Sequence, residues 1–179
     1  MAHDGTADAH LYPRPQAPVR YVYVDQAYTG AEFLKNCIVG QISIDNPEFY
    51  KQLAESPRFQ ILTIWRPIRP IARDPLALAD TRSIPEEDLV SVPIQVREGM
   101  SVYVGFVRSR SSQVHKRYYA DAMQPDEILV FKTYDSWDKD GNGRPIARSV
   151  PHVSFVNEGS EGQALPARES IEFRVMVFY

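Results

Sequence analysis

A chain of 179 residues and 20.4 kDa is the size of one domain, and its 44% hydrophobic content is enough for a real core. Twenty basic against 23 acidic residues leave a formal charge of −3, so no basic field draws it to nucleic acid or to an anionic membrane. No apolar run reaches the length of a membrane span.

One cysteine, Cys37, excludes an internal disulfide framework and fits a reducing compartment, so a cytoplasmic location is expected. No His lies near it in sequence, and it reads as a small buried hydrophobe rather than a nucleophile. The opening Met1-Ala2-His3-Asp4-Gly5 has no basic segment followed by an apolar one, so no secretory signal is expected. Fourteen prolines spread along the chain favour short strands joined by turns over long helices.

Residues 1–18 are polar and carry Pro13, Pro15 and Pro18; they read as a flexible arm in which His3 and His10 are solvated. Residues 19–26 are β-branched and aromatic and read as a strand, with Tyr23 and Asp25 on one face. Tyr28 to Ala31 reads as a turn into a short segment containing Phe33, Leu34 and Cys37. A helix should start at Asn46, a good N-cap followed by Pro47 and Glu48, with Phe49, Tyr50, Leu53 and Ala54 as its apolar face. Residues 59–67 form a second predicted strand, and a proline-punctuated extended path follows to Pro75.

Beyond it, Leu76 to Asp80 is apolar and Ser83 to Asp88 resembles a single helical turn. Residues 89–132 alternate strands and turns, strongest at Val102–Val107, with a basic, serine-rich loop from Arg108 to Lys116. Ile128 to Asp135 is a further strand. Roughly seven strands to one clear helix favour an antiparallel sandwich or a jelly-roll barrel.

Two patterns imitate chemistry. Asp138-Lys139-Asp140-Gly141-Asn142-Gly143 matches the first half of a calcium loop, but its twelfth position is Ser149 and no helix flanks it, so a hydrophilic hairpin is expected. Asp126 and Glu127 are adjacent carboxylates that point apart on a strand, which suits a turn better than shared acid–base work.

The last quarter of the chain is the most informative. His152 and Ser154 fall on one strand face. After a Gly/Ser/Glu loop, Arg168, Ser170, Glu172 and Arg174 share a polar face, and Ile171, Phe173, Val175, Val177 and Tyr179 an apolar one suited to a core. A metal-binding His followed by an Arg and a Ser that hold a carboxylate is one reading; a solvated charged face with a surface His is the other.

Several segments, in order, carry a resemblance: Val22-Tyr23-Val24-Asp25-Gln26, Ile64-Trp65-Arg66-Pro67, Asp74-Pro75-Leu76-Ala77, Arg117-Tyr118-Tyr119, Pro125-Asp126-Glu127, Phe131-Lys132-Thr133-Tyr134-Asp135-Ser136, Pro151-His152-Val153-Ser154-Phe155 and Pro166-Ala167-Arg168-Glu169-Ser170-Ile171-Glu172. Over residues 19–179 the chain resembles the fungal hydroxylase/desaturase family related to the cephem methoxylase chain, oxidoreductases similar to non-haem Fe(II)/2-oxoglutarate dioxygenases of secondary-metabolite biosynthesis. The resemblance implies a mainly β fold, a double-stranded β-helix (jelly-roll) with one or two short helices, acting on a small-molecule substrate. It implies Fe(II) held by Asp25 and His152 and 2-oxoglutarate held by Arg168 and Ser170, an Arg being suited to gripping a carboxylate bidentately. Trp65, Arg66, Tyr118 and Tyr119 are candidates for lining the substrate pocket.

Two departures stand out. Where the family strand reads His-x-Asp, this chain reads Tyr23-Val24-Asp25, and a phenol must ionise before it binds a metal well. His115 is the remaining His outside the arm and belongs to another wall. Family members also carry on the order of a hundred further residues ahead of this strand, without which sheet edges are left uncovered. A missing N-terminal portion or a homodimer would account for that. The alternative to an oxygenase is a catalytically degenerate, metal-free relative that binds a small molecule or partners an active paralogue.

Overall fold

The computed structural model describes residues 17–97, 100–108 and 115–179. The predicted arm with His3 and His10, and most of the basic loop after Arg108, lie outside the described residues. The elements are β1 (Tyr23–Val24), α1 (Tyr28–Asp45), α2 (Pro47–Ala54), β2 (Phe59–Pro67), β3 (Leu76–Ala79), β4 (Leu89–Arg97), β5 (Met100–Val107), β6 (Arg117–Tyr119), β7 (Leu129–Asp135), β8 (His152–Ser154) and β9 (Ser170–Phe178), with single 3-10 turns at Thr81–Ser83 and Glu86–Asp88.

The strands make two antiparallel sheets. One has the order β4-β5-β1-β8-β3-β6 and the other β7-β2-β9. Short β1 is central to the larger sheet because it pairs on both sides: Tyr23 opposes Phe106 of β5 and His152 of β8. Gly105 faces Val24 across that pairing, where a Cβ would collide with the valine side chain, so glycine lets the two strands close.

Two apolar clusters form the core, the first between the sheets and the second between α1 and the smaller sheet. Trp65, Ile71, Leu76, Met123 and Phe131 form the first, and Ala31, Phe59, Ile61 and Tyr134 the second. Burying each large side chain contributes roughly 1.5–3 kcal/mol. One end of the smaller sheet is tied by Asp135, whose fully buried carboxylate accepts from Arg58 (2.6 and 3.0 Å), Gln60 (2.7 Å), Lys132 (2.6 Å) and the Trp137 backbone (3.1 Å). These partners outweigh burial and hold its pKa well below the usual carboxylate range.

Four expectations are corrected. Residues 28–45 form an 18-residue helix, not a turn and a short segment; between Pro18 and Pro47 there is no proline to stop it. Asn46 then closes α1 through its N–H on Ile42 O (2.8 Å) and opens α2 by accepting from Phe49 N (3.1 Å). On α2 only Leu53 is buried, and Phe49 and Tyr50 are exposed, because α2 packs on α1 rather than on a sheet. Cys37 is exposed, since it lies on the part of α1 that turns away from the clusters.

The fourth correction concerns β9. Its polar face points inward and its apolar face outward: Ile171, Phe173, Val175 and Tyr179 are exposed. The register decides this. Ser170, Glu172 and Arg174 lie opposite Pro67, Trp65 and Thr63, the inward residues of β2, whereas Phe173 lies opposite Ile64. The calcium-like stretch is a hairpin turn, with Asp140 accepting from the Asn142 and Arg144 backbone, and Gln124 to Glu127 is also a turn.

Candidate metal and acid-binding site

Strands far apart in sequence bring the candidate residues together. Tyr23 and His152 are direct partners in the larger sheet, and Asp25, two residues on from Tyr23, projects to the same side. Antiparallel partners share a face, so all three look toward the smaller sheet. The His152 ring lies 4.5 Å from the Tyr23 ring and 4.9 Å from that of Phe131 on β7.

His152 Nδ1 is 3.2 Å from Val150 O. A proton on Nδ1 satisfies that carbonyl and leaves the lone pair on Nε2. Nε2 faces Asp25 Oδ2 at 3.9 Å, too far for a hydrogen bond, and the two side chains are 1% and 3% exposed. Both atoms are buried without a hydrogen-bond partner. Buried polar groups are almost always satisfied, and two orphaned donors aimed at one gap are what a divalent cation fits. Tyr23 is the third group here. Burial, and then the neighbouring Asp25, push its pKa up to about 12, so at neutral pH it is an uncharged phenol. Among the described residues no group of three His, Cys, Asp or Glu side chains gathers to hold a metal.

Asp25 Oδ1 is occupied. It accepts from Arg174 Nη2 at 2.6 Å, and the same nitrogen donates to Glu172 Oε1 at 2.5 Å.

Beside this pair a cavity of about 240 Å³ opens, lined by Tyr23, Trp65, His152, Arg168, Ser170 and Arg174 among others. Arg168 Nη1 donates to Asp74 O at 2.9 Å and to Ser154 Oγ, and its guanidinium lies 5.5 Å from the Trp65 ring. Asp74 is itself buried and clamped by Arg20 (2.6 Å) and Arg73 (2.8 Å). Desolvation lowers the Arg168 pKa, and the Asp74 carboxylate works against that. A second, more apolar cavity of about 610 Å³ lies on the other side of Tyr23 and Arg174, with Asp25, Phe33, Cys37 and Phe106 in its wall.

Asp25, Tyr23, His152, Arg168, Ser170 and Trp65 therefore come together, and three other candidates do not. Arg66 follows Trp65 on β2, faces outward and donates to Pro125 O. Tyr119 pairs with Ala77 and packs edge-on against Phe155, lining a different cavity of about 570 Å³. Tyr118 is in register with Leu78 and His152 but sits on the edge strand β6, 61% exposed. His115 is bound up in a buried pair with Asp88 (3.1 Å). Sequence reading missed the parts played by Ser154, Asp74, Glu172 and Arg174. Strict alternation from Arg168 already placed Glu172 and Arg174 on the face of Ser170; what was lacking was the side on which that face lies.

Two antiparallel sheets enclosing an Asp–His pair, with a half-buried Arg across the cavity, make a jelly-roll of the double-stranded β-helix type. The chain belongs to the oxidoreductase/YMDC permease-like domain family, whose profile matches residues 3–178. It is 37% identical over 181 residues to the hydroxylase/desaturase efuI of Hormonema carpetanum, covering 96% of this chain and 56% of that protein. It is 32% identical over 162 residues to the Fe(II)/2-oxoglutarate-dependent dioxygenase nvfI of Aspergillus novofumigatus, covering 90% and 52%. The solved structure of the iron and alpha-ketoglutarate-dependent endoperoxidase NvfI superposes with a TM-score of 0.72 at 28% identity, over 90% of this chain and 54% of that one. The expected resemblance to fungal hydroxylases/desaturases and the jelly-roll fold are thus borne out, and the chain spans about half the length of these relatives. No helix among the described residues is long and apolar enough to cross a membrane.

Proposed function

We propose that the protein is an Fe(II)- and 2-oxoglutarate-dependent hydroxylase or desaturase of a small organic molecule, working in the cytoplasm, with residues 19–179 as its working domain. The observation that carries this reading is the orphaned pair, Asp25 Oδ2 and His152 Nε2, buried 3.9 Å apart beside a cavity that holds Arg168.

Asp25 and His152 would hold the metal, with Tyr23 standing where relatives of this type have a second imidazole. Arg168 would hold the far carboxylate of the oxo-acid. Its Nη1 is committed to Asp74 O and Ser154 Oγ, which fixes the guanidinium plane and leaves the other edge of the fork for a ligand. Ser170 adds a hydroxyl on the same strand face. Bound iron and oxo-acid would activate dioxygen, the oxidant, so that hydrogen is taken from an unactivated carbon while the oxo-acid is converted to succinate and carbon dioxide. The chain's own part is to seat both, to keep water from the buried pair, and to present substrate from the apolar side of Tyr23.

The test is succinate release from 2-oxoglutarate that requires Fe(II) and exceeds that of a His152→Ala variant. Binding of a small carboxylic acid that is indifferent to Fe(II) and to chelator, without turnover, would instead support the metal-free alternative.

A further inference from the structure

Arg174 reaches Asp25 from the opposite sheet. Its register opposite Thr63, with Glu172 opposite Trp65, sends both side chains into the cavity from one face of β9. Asp25 is 3% exposed, Glu172 29% and Arg174 43%, so the guanidinium spans from the buried carboxylate to a wetter one. A carboxylate as buried as Asp25 needs a positive charge beside it. A divalent cation between Oδ2 and His152 Nε2 is one such charge, and the guanidinium on Oδ1 is another. Two cations on the two oxygens of one carboxylate repel each other.

We propose that Arg174 is an internal counter-cation that competes with metal for Asp25, and that Glu172 receives the guanidinium when metal binds. The inference rests on the metal reading above. The exchange makes and breaks no covalent bond: Nη2 already touches both carboxylates, and loading the metal shifts the balance from Asp25 to Glu172. Tyr23 places a phenol beside the His152 ring, where an imidazole would add a strong neutral ligand. Metal affinity is thereby set low, and Arg174 is the residue that sets it. Because Arg174 and Tyr23 border both the polar and the apolar cavity, the shift also alters the wall between them.

The experiment is Mn(II) titration of the metal-free full chain, read by loss of the free-ion paramagnetic resonance signal, for the parent, Arg174→Gln, Glu172→Gln and His152→Ala. Arg174→Gln should bind Mn(II) about ten-fold more tightly than the parent, and Glu172→Gln about ten-fold more weakly, since the guanidinium is then left to Asp25 alone. Effects of opposite sign separate competition from general damage to the fold. If the parent binds in a His152-dependent way and Arg174→Gln binds equally or less well, the competition is overturned and the metal reading stands. If Arg174→Gln does not fold, Glu172→Gln decides, and parent-like affinity there overturns the proposal. No His152-dependent binding in any variant overturns the metal reading and this inference with it.

Discussion

Nε2 of His152 and Oδ2 of Asp25 face each other at 3.9 Å inside the protein, each without a hydrogen-bond partner. Leaving such atoms unsatisfied costs about 1–3 kcal/mol each in the metal-free protein. Divalent metal should therefore raise the melting temperature, as any ligand specific to the folded state does. Mn(II) added to His152→Ala should leave it unmoved, which differential scanning fluorimetry would show.

The same geometry predicts the outcome of Tyr23→His. Position 23 projects on the side of Asp25 and lies against the His152 ring, so an imidazole there completes a two-histidine, one-carboxylate set. Metal affinity should rise by about ten-fold or more, measured by calorimetry with Mn(II). Unchanged affinity would mean that position 23 does not reach the metal.

Arg168 makes a separate prediction about the acid. Arg168→Met should weaken 2-oxoglutarate binding by about 10- to 100-fold, the worth of a charge-assisted bidentate contact. Arg168→Lys should not restore it, because an ammonium cannot satisfy Asp74 O, Ser154 Oγ and a ligand in one plane. Fluorescence of Trp65, 5.5 Å from the guanidinium, offers a readout that needs no turnover.

Asp135 governs stability rather than chemistry. With one buried carboxylate facing Arg58, Lys132 and Gln60, Asp135→Asn should cost about 3 kcal/mol in urea unfolding. Its pKa is depressed in the folded state. The stabilisation it contributes is therefore complete above the unfolded carboxylate's pKa, about 4, and is lost as pH falls below that toward the folded value. The parent should lose stability on acidification through this window more steeply than Asp135→Asn does.

Gly30 tests the packing of α1. A Cβ there would stand 2.5 Å from the carbonyl oxygen of Tyr103, while Ala27 N donates to that same oxygen at 2.8 Å. Gly30→Ala should destabilise by about 1–3 kcal/mol, because a backbone atom and not a flexible side chain must give way. A melting temperature equal to the parent's would show that α1 sits farther from β5.

What could be read in the residues themselves is local. Asn46-Pro47 marked the start of α2, the β-branched run marked β2 from Phe59 to Pro67, and alternation placed Tyr23 with Asp25 and Arg168 with Ser170, since each depends only on near neighbours. Motif order then carried the jelly-roll and the pairing of Asp25 with His152. Tertiary structure decided which side of each element faces in. β9 has an apolar and a polar face of equal regularity, and its register with β2 turned Arg174 toward Asp25 and Phe173 toward solvent. A strand's period of two defines its faces but not the side on which the second sheet lies; that depends on partners more than a hundred residues away.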